Sequence, residues 1–443
     1  MRYPKINADD MEIKTDVIIA GTGVGGLFCA LNLPKEKQIL MVTKAGIEES
    51  DSFLAQGGIC VLKDESDYDS YFEDTMRAGH YENNPESVDI MIRSSRDVIH
   101  DLVGFGVEFE MENGQFRYTR EGAHSTPRIL FHEDITGKEI TSKLLSEAQK
   151  RPNIKIIEHF TVMDIQERDG ECCGVVGMDE NGDMVSVTAD YTVLATGGIG
   201  GIYQNSTNFP HLTGDGVAIA AKHNVELLNV DYIQIHPTTL YSQKPGRRFL
   251  ISESVRGEGA ILLNAKGERF VNELLPRDVV AKAISEQMEK DGKPYVWLSM
   301  LPIPEEHIRT HFPNIYQRCL EEGYDATKEY VPVVPAQHYF MGGIRVNSSS
   351  KTTMDRLYAV GEAACNGVHG KNRLASNSLL ESLVFAKRAA LEMSSTYQPV
   401  RSVVHPDAEQ YRGCNRDYEK IIKDEIERSH KAHEQYHDAA QCG

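Results

Sequence analysis

The apolar positions near the start of the chain form a short run, a glycine turn and a longer apolar segment. The segment TDVIIAGTGVGGLFCALNLP predicts a buried strand at 17–20, then a turn, then a helix that ends at Pro34. A second apolar run, QILMVT, follows at once. Strand, helix and strand in this order predict a β-α-β unit.

Two further stretches carry clear helix and hairpin signals. Residues 85–106 have apolar positions at helical spacing and two glycines as a stop signal. Residues 172–198 contain two alternating runs around Asn181-Gly182, a dipeptide typical of hairpin turns. A third strand is predicted at Thr192–Ala195, directly before Gly197 and Gly198.

The pattern changes at about residue 230 and later returns to strand followed by helix. AILLNAKGERFVNE predicts another hairpin, PRDVVAKAISEQMEK an amphipathic helix, and EYVPVVPAQHYFMGG extended chain. LYAVGEAA and SNSLLESLVFAKRAALEM then repeat the first order. We therefore expect an α/β chain with a Rossmann-like domain in two parts, 1–229 and 340–395, an inserted α+β cap at 230–339, and a short helical tail at 396–443.

The tail has a weak helical stripe, formed by Tyr418, Ile421, Ile422 and Ile426. Three histidines also share one face of this predicted helix: His430, His433 and His437. A solvated face is a better interpretation of these histidines than a metal site, and no metal is predicted for the chain.

Composition narrows the possible partners. A chain of 443 residues is long for one core, so two or three domains are expected. The net charge of −19 argues against nucleic acid or an anionic membrane as partner, so any bound anion needs a local cation cluster. The apolar runs are too short for a membrane helix, and the N-terminus lacks a signal peptide. Eight cysteines without metal or C-x-x-C spacing indicate reduced thiols in a cytoplasmic protein.

The glycine turn has the spacing of a dinucleotide site. Gly21-x-Gly23-x-x-Gly26 lies between a predicted strand and helix, where backbone can approach a pyrophosphate beside the helix N-terminus. The second strand ends in Thr43-Lys44 rather than in the acidic residue that holds an NAD ribose. NAD is therefore not indicated.

Later segments favour a flavin as the dinucleotide. SDSFLAQGG at 50–58 is small and glycine-rich and suits backbone contact with a planar ring, and VLATGG at 193–198 is a second strand-to-glycine approach. Glu362, at a strand end, is positioned to bond a ribityl or ribose hydroxyl. Ser378 and Glu381 form an S-x-x-E pattern that predicts a capping box, with the positive end of its helix directed at the ligand.

Several longer motifs occur in an order that resembles the fumarate reductase and succinate dehydrogenase flavoprotein family. They are AQGG, HPT, RGEGA, PRDVVA, HYFMGGI and GVHGKNRLASNSLLE, and the resemblance covers residues 14–395. The chain is most similar to the soluble, aspartate-oxidising branch of that family. This resemblance implies an FAD domain, an inserted capping domain, and a dicarboxylate held between them at the flavin.

The resemblance also implies a set of FAD-binding residues around the glycine-rich segments. They are Gly21, Thr22, Gly23, Val24, Gly25, Gly26, Lys44, Asp51, Ser52, Phe53, Leu54, Ala55, Gln56, Gly57, Gly58, Ala195, Thr196, Gly197, Asp215, Glu362, Ser378 and Leu379. Family members of membrane complexes have S-H-T-x-A-A-x-G-G with a histidine joined covalently to FAD, where this chain has Asp51. This difference implies noncovalent, dissociable FAD.

Four basic side chains stand beside glycine, proline or small residues and could bind a dicarboxylate: His236, His338, Arg277 and Arg373. The resemblance implies that His236 and Ser252 hold one carboxylate and that His338 and Arg373 hold the other. It also implies that Arg277 transfers a proton. Because an arginine is ordinarily protonated, this role requires help from a neighbour, for which Glu253 is a hypothesis.

The loop TREGAHS, at 119–125, offers a carboxylate at Glu121 in an already acidic chain. A solvated surface charge is the ordinary interpretation of such a residue. The aspartate-oxidising branch resembles the chain in this loop, whereas reductases and dehydrogenases lack it. Since only aspartate carries an ammonium, Glu121 is predicted to recognise the substrate amino group and to act in catalysis.

The implied reaction is FAD-dependent oxidation of L-aspartate to iminoaspartate, with reoxidation by O₂, giving H₂O₂, or by fumarate, giving succinate. In this family the reaction is the first step of de novo NAD biosynthesis, and quinolinate synthase consumes the imine. Three alternatives remain open: a soluble fumarate reductase, a flavoprotein subunit of a succinate dehydrogenase-like complex, and a non-catalytic dicarboxylate sensor.

Overall fold

The computed structural model describes residues 12–400 and 407–441. The strands are β1 (Glu12–Ala20), β2 (Ile39–Val42), β3 (Ile59–Cys60), β4 (Met111–Glu112), β5 (Gln115–Phe116), β6 (Ile129–Leu130), β7 (Ile154–Ile157), β8 (Thr161–Arg168), β9 (Glu171–Met178), β10 (Met184–Leu194), β11 (Leu227–Leu228), β12 (Ile233–Leu240), β13 (Ile261–Leu263), β14 (Val296–Ser299), β15 (Val331–Phe340), β16 (Gly343–Arg345), β17 (Leu357–Ala359) and β18 (Ala364–Cys365).

The α-helices are α1 (Val24–Asn32), α2 (Asp51–Leu54), α3 (Tyr68–Ala78), α4 (Pro85–Gly104), α5 (Thr136–Lys150), α6 (Asp215–Lys222), α7 (Glu253–Gly257), α8 (Arg277–Asp291), α9 (Glu305–His311), α10 (Pro313–Glu321), α11 (Asn377–Ser395) and α12 (Tyr418–Gln441). Among the residues described, no helix combines the length and the apolar character needed to cross a bilayer.

The largest sheet has seven strands within residues 12–400, in the order β7-β2-β1-β10-β9-β8, with β17 also paired to β10. The pairs of β1 with β2 and β10 are parallel, whereas β9 runs antiparallel to β10 and β8. The predicted β-α-β unit (β1, α1, β2) and the hairpin of β9 and β10 are both present. A parallel sheet with an antiparallel extension is therefore the base of the fold.

Helices cover both faces of this sheet. Val17 and Ile19 of β1 pack into a core with α1, α4, α5 and α11, whereas Ile18 and Ala20 pack into a second core with α6 and α12. Successive side chains of a strand point to opposite faces, so a strand covered on both sides needs a continuous apolar run. This requirement explains the sequence VIIA at the end of β1.

A second sheet, β12-β15-β14-β13, is antiparallel and lies within residues 233–340. Helices α8, α9 and α10 belong to the same stretch, and the apolar side chains form a core of their own, from Leu240 to Val333. The predicted hairpin at 260–273 is shorter than expected, with one bridge between Leu263 and Arg269. The predicted amphipathic helix is α8.

Two predicted elements differ from the structure. The strand predicted at 192–195 is the end of β10, which runs without interruption from the hairpin. Polar residues alternate with apolar ones from Ser186 to Thr192, yet all residues of β10 are buried, and the strand continues through them to Leu194. The segment at 50–58, for which no helix was predicted, contains the one-turn helix α2.

The capping box predicted for α11 is wrong. The helix follows Ser376, which has a φ of 62° and makes no side-chain cap. The Ser378 hydroxyl accepts a hydrogen bond from Arg373 Nη1, and Glu381 accepts one from Asn366 Nδ2. Both side chains are therefore engaged by residues that precede the helix in the chain, which the local S-x-x-E pattern does not reveal.

Candidate active site

The glycine loop joins β1 to α1 by close backbone contacts. Gly21 has a φ of 123°, and a Cβ there would lie 2.0 Å from the carbonyl oxygen of Ala195. A Cβ on Gly26 would lie 2.2 Å from the carbonyl oxygen of Gly21. Gly23 provides no side-chain cap for α1, and within the first turn the Val24 amide donates to Ser52 Oγ at 3.1 Å.

All of the predicted site residues line one large cavity. Its volume is about 340 Å³, within the range of about 300–1,000 Å³ that is typical of small-molecule sites. Its lining includes the glycine loop, the segment at 50–58 and the turn at Thr196-Gly197. It also includes the six side chains predicted to act on the substrate, which are Glu121, His236, Ser252, Arg277, His338 and Arg373. The sequence therefore predicted one contiguous site.

Several buried polar atoms in this cavity suit FAD. Ser50 Oγ, Asp51 Oδ2 and Thr196 Oγ1 are buried and have no hydrogen-bond partner within the protein. Such atoms are costly unless a ligand or water satisfies them. Together with the glycine cradle and the N-terminus of α1, they fit a molecule that carries hydroxyls and a pyrophosphate.

The acidic residue that is missing from the end of β2 is supplied from elsewhere. Lys44 Nζ, at that strand end, donates to Asp215 Oδ2 at 2.8 Å and to Thr213 Oγ1 at 3.0 Å. Asp215 begins α6, far away in the sequence. A carboxylate therefore lies beside the end of β2 although the local sequence contains a lysine there.

Two further carboxyl groups in the cavity are strongly affected by burial. Burial raises the pKa of Asp51 to about 7, although its Oδ1 accepts a hydrogen bond from the Phe209 amide at 3.0 Å. Burial, together with the nearby Asp51, raises the pKa of Glu362 to about 8. Glu362 Oε1 accepts from the Phe340 amide at 2.9 Å and lies against Gly198. Both groups are available to bond hydroxyls of a cofactor.

His236 is held with one ring nitrogen directed into the cavity. The Thr238 amide donates to His236 Nδ1 at 3.1 Å, whereas Nε2 is buried without a partner. Burial and the nearby Arg277 hold the pKa of His236 well below its usual range, so the ring is neutral at pH 7. Because Nδ1 is the acceptor, the proton resides on Nε2, which is then a donor for a ligand.

His338 faces His236 across the cavity, with the ring centroids 5.0 Å apart and the planes nearly perpendicular. Its Nδ1 lies 2.8 Å from the hydroxyl of Thr207. Burial and Arg373 hold its pKa well below the usual range. Ser252 lies nearby at the start of α7, where its hydroxyl accepts from the Ser254 amide at 3.2 Å.

The two site arginines are joined by Gln234, which the sequence reasoning did not identify. Gln234 Oε1 accepts from Arg277 Nη1 at 2.9 Å and from Arg373 Nε at 3.3 Å. Its Nε2 donates to Asn372 Oδ1 and to the carbonyl of Arg373, both at 2.8 Å. The sequence did contain a signal for Gln234. It stands two residues before His236, so both side chains point to the same face of β12.

Arg277 is paired with Glu253 by a hydrogen bond of 2.5 Å from Nε to Oε2. Arg256 Nη2 lies 3.5 Å from the same carboxylate oxygen. Burial opposes ionisation of Glu253, but the two guanidiniums outweigh it, and the pKa lies below its usual range. A buried carboxylate therefore lies in contact with the side chain predicted to transfer a proton.

Glu121 is also buried, with 2% of its surface exposed. Its carboxylate oxygens accept from Ser254 Oγ at 2.7 Å and from Ser376 Oγ at 2.5 Å, two residues that sequence reasoning missed. A Cβ on Gly57 would lie 2.4 Å from Glu121 Oε1. Burial raises the pKa of Glu121, and Glu253 raises it further. A solvated surface carboxylate would be exposed, and this one is enclosed in the cavity wall.

The loop that carries Glu121 is fixed by a buried network. The ring of His124 lies 3.0 Å from the carbonyl of Ala375 through Nε2 and 3.0 Å from Arg128 Nη1 through Nδ1. Arg128 is fully buried and pairs with Asp67 and Asp74 at 3.0 and 2.7 Å. The histidine of TREGAHS therefore positions the loop, which explains its place next to Glu121.

A family described as FAD binding domain matches residues 16–379. The fold is shared with solved flavoproteins, among them the E. coli quinol fumarate reductase, with a TM-score of 0.83 and 29% identity over 91% of this chain and 74% of that one. Mycobacterium smegmatis Sdh1 has a TM-score of 0.77 and 31% identity, covering 90% and 72% of the two chains. The molecule is thus a flavoprotein of the FAD-binding class.

Curated relatives identify its place within this class. An L-aspartate oxidase from Clostridium perfringens is 48% identical over 421 residues, which are 94% of this chain and 95% of the relative. One from Neisseria meningitidis serogroup B is 40% identical over 390 residues, or 86% and 78% of the two chains. The chain belongs to the L-aspartate oxidase family.

Proposed function

We propose that the protein oxidises L-aspartate to iminoaspartate with FAD as cofactor, as the first step of NAD biosynthesis. The observation that carries this proposal is the charge arrangement of one cavity. Cationic and hydrogen-bonding groups for two carboxylates lie in the same enclosed space as the buried carboxylate of Glu121. Fumarate and succinate offer that carboxylate no partner, whereas the ammonium of aspartate does.

His236 and Ser252 are proposed to hold one carboxylate of the substrate, and His338 and Arg373 the other. Neutral histidines donate a hydrogen bond without adding charge, and Arg373 supplies the cation. Burial and Arg277 lower the pKa of Arg373 to about 10, so it stays protonated at neutral pH. Binding at both ends of the substrate fixes the position of Cα, and such positioning can account for a large part of a rate enhancement.

When bound, FAD would accept a hydride from aspartate Cα while the amino group loses a proton, and the reduced flavin would pass two electrons, with two protons, to O₂, giving H₂O₂, or to fumarate, giving succinate. Arg277 is proposed to hold and transfer the proton that the substrate exchanges with the protein in this reaction. Its contact with Glu253 at 2.5 Å supports this role, since the carboxylate can exchange a proton with the guanidinium. Arg256, on the other side of Glu253, helps to keep that carboxylate ionised.

The remaining assignments rest on the sequence and on this function. FAD is proposed to bind noncovalently, since Asp51 stands in place of the linking histidine. Residues 230–339 are proposed to be a capping domain that closes over FAD held by 1–229 and 340–395, with 396–443 as a tail. The described cysteines are free, which suits a cytoplasmic enzyme. Quinolinate synthase is the proposed consumer of the unstable imine.

Anaerobic mixing of the FAD-loaded protein with L-aspartate tests the proposal. We expect the yellow flavin absorbance to bleach, and to return on addition of air or fumarate. Succinate, which lacks the amino group, is the matched control for dicarboxylate binding. A protein that is not bleached by L-aspartate, but whose chemically reduced flavin is reoxidised by fumarate, would instead be a fumarate reductase.

A further inference from the structure

Three side chains of types that ligate metal ions meet outside the FAD cavity. His307 and His311 lie one turn apart on α9, and Glu258 directly follows α7. One donor atom of each side chain lies within 4.8 Å of the other two. None of the three lines the cavity described above. The cluster therefore needs an explanation of its own.

The geometry of the cluster is close to that of a metal site. His307 Nε2 lies 3.3 Å from Glu258 Oε2, and the two imidazole rings are stacked with centroids 4.9 Å apart and planes 9° apart. Donors at about 2.0–2.2 Å from a tetrahedral ion are about 3.4 Å apart. The first pair already has this spacing, and the third donor, a ring nitrogen of His311, lies within 4.8 Å of both.

Hydrogen bonding within the protein leaves the donor atoms free for a ligand. His307 Nε2 is buried and makes no hydrogen bond, although a carboxylate oxygen is close. The other oxygen of Glu258 accepts from Thr119 Oγ1 at 3.1 Å. A ligating carboxylate is commonly held in this way by a hydrogen bond to its second oxygen. A ring nitrogen that makes no hydrogen bond therefore lies 3.3 Å from a carboxylate oxygen, as two ligands of one ion would.

His311 is suited to the same role. It is buried, and its ring packs on Phe131 and Phe312 with centroids 4.7 and 4.5 Å away. This packing fixes the orientation of the ring, and an imidazole nitrogen binds a metal ion in its neutral form.

We propose that Glu258, His307 and His311 form a binding site for one divalent transition-metal ion such as Zn²⁺. Two imidazole nitrogens and one carboxylate oxygen are a ligand set for zinc, with a fourth position open to water, whereas Mg²⁺ and Ca²⁺ prefer oxygen ligands alone. The ion would join α9 to Glu258. Through Thr119 the same carboxylate contacts the loop that carries Glu121, so the ion would fasten α9 to that loop.

The histidines of the tail provide a matched contrast. His433 Nδ1 lies 2.9 Å from Asp231 Oδ2, and His430 Nε2 lies 3.2 Å from Glu434. These contacts are ordinary histidine–carboxylate pairs, and the tail residues whose side chains are described do not assemble three converging donors. The side chain of His437 is outside the described residues. His430→Gln therefore removes an imidazole near carboxylates without touching the proposed site.

Equilibrium dialysis of the FAD-loaded, chelator-treated protein against Zn²⁺, with the metal measured by mass spectrometry, tests the site. We expect one zinc per chain for the wild type and for His430→Gln, and an affinity at least tenfold lower for His307→Gln and Glu258→Gln. Flavin content and thermal midpoint establish that each variant is folded. Wild-type protein that binds no zinc at micromolar concentration, unchanged binding by His307→Gln, or binding lost in His430→Gln would each overturn the proposal.

Discussion

Replacing Glu121 by Gln removes the one predicted counter-charge for the substrate amino group with little change in shape. The carboxylate is buried and accepts hydrogen bonds from Ser254 and Ser376, contacts that an amide can largely keep. A hydrogen bond to a charged group contributes about 1.5–3 kcal/mol, and about 1.4 kcal/mol corresponds to a factor of ten. We therefore expect kcat/KM for L-aspartate to fall about 10- to 150-fold.

Succinate provides the comparison, since it has both carboxylates and no ammonium. Its affinity for Glu121→Gln should be unchanged or higher, because an anion near a dianionic ligand is removed. Initial rates with oxygen give kcat/KM for aspartate, and perturbation of the flavin spectrum gives the affinity for succinate. Glu112→Gln makes the same change at an exposed position and should leave both values at the wild-type level.

The pKa of Glu121 adds a stability test. Its pKa is raised in the folded protein, so the ionised side chain costs stability above that pKa, and the cost disappears as the pH falls below the unfolded value. Gln carries no such cost. At neutral pH the thermal midpoint of Glu121→Gln should therefore be no lower than that of the wild type. Equal losses of aspartate turnover and succinate binding would refute the reasoning, as would a marked loss of stability.

Three other outcomes follow from the same structure. With Asp51 in place of a linking histidine, acid denaturation should release all of the yellow flavin into the supernatant, and a yellow precipitate would contradict noncovalent binding. Gly26→Ala puts a methyl group 2.2 Å from the carbonyl oxygen of Gly21, so the purified variant should have a lower ratio of flavin to protein absorbance than the wild type. A wild-type ratio would show that the glycine loop tolerates the methyl group. Ile422→Ala removes a fully buried side chain of α12 and should lower the free energy of unfolding in urea by about 2–5 kcal/mol. Lys423→Ala, on the exposed face, should change that free energy by less than about 0.5 kcal/mol. Equal urea midpoints for the two variants would mean that α12 is not packed against the domain.

Local sequence patterns predicted correctly the elements whose conformation is determined by neighbouring residues in the chain. The run VIIA gave a buried strand because a strand covered on both faces needs apolar residues throughout. Asn181-Gly182 marked a hairpin because its turn requires a left-handed backbone, and Gly182 has a φ of 86°. Local patterns failed where distant residues determine the structure. At α11, Asn366 and Arg373 donate hydrogen bonds to Glu381 and Ser378, the two side chains of the predicted capping box.

The candidate site also has features that the sequence predicted and others that it did not. Family motifs led to side chains that line one cavity, and the flavoprotein family and its FAD cofactor are confirmed by the comparisons, while the individual roles stay predictions. No pattern indicated that Asp215 supplies the carboxylate beside Lys44, or that Ser254 and Ser376 bond to Glu121.

The sequence by itself therefore determined the class of the protein, the glycine loop and the types of residue that line the cavity. Tertiary structure alone decided which of these side chains meet, and how buried they are. The physical reason is that hydrogen bonds and pKa shifts depend on distance in space. Glu121 and Ser376 are 255 positions apart, yet their side chains share a buried hydrogen bond.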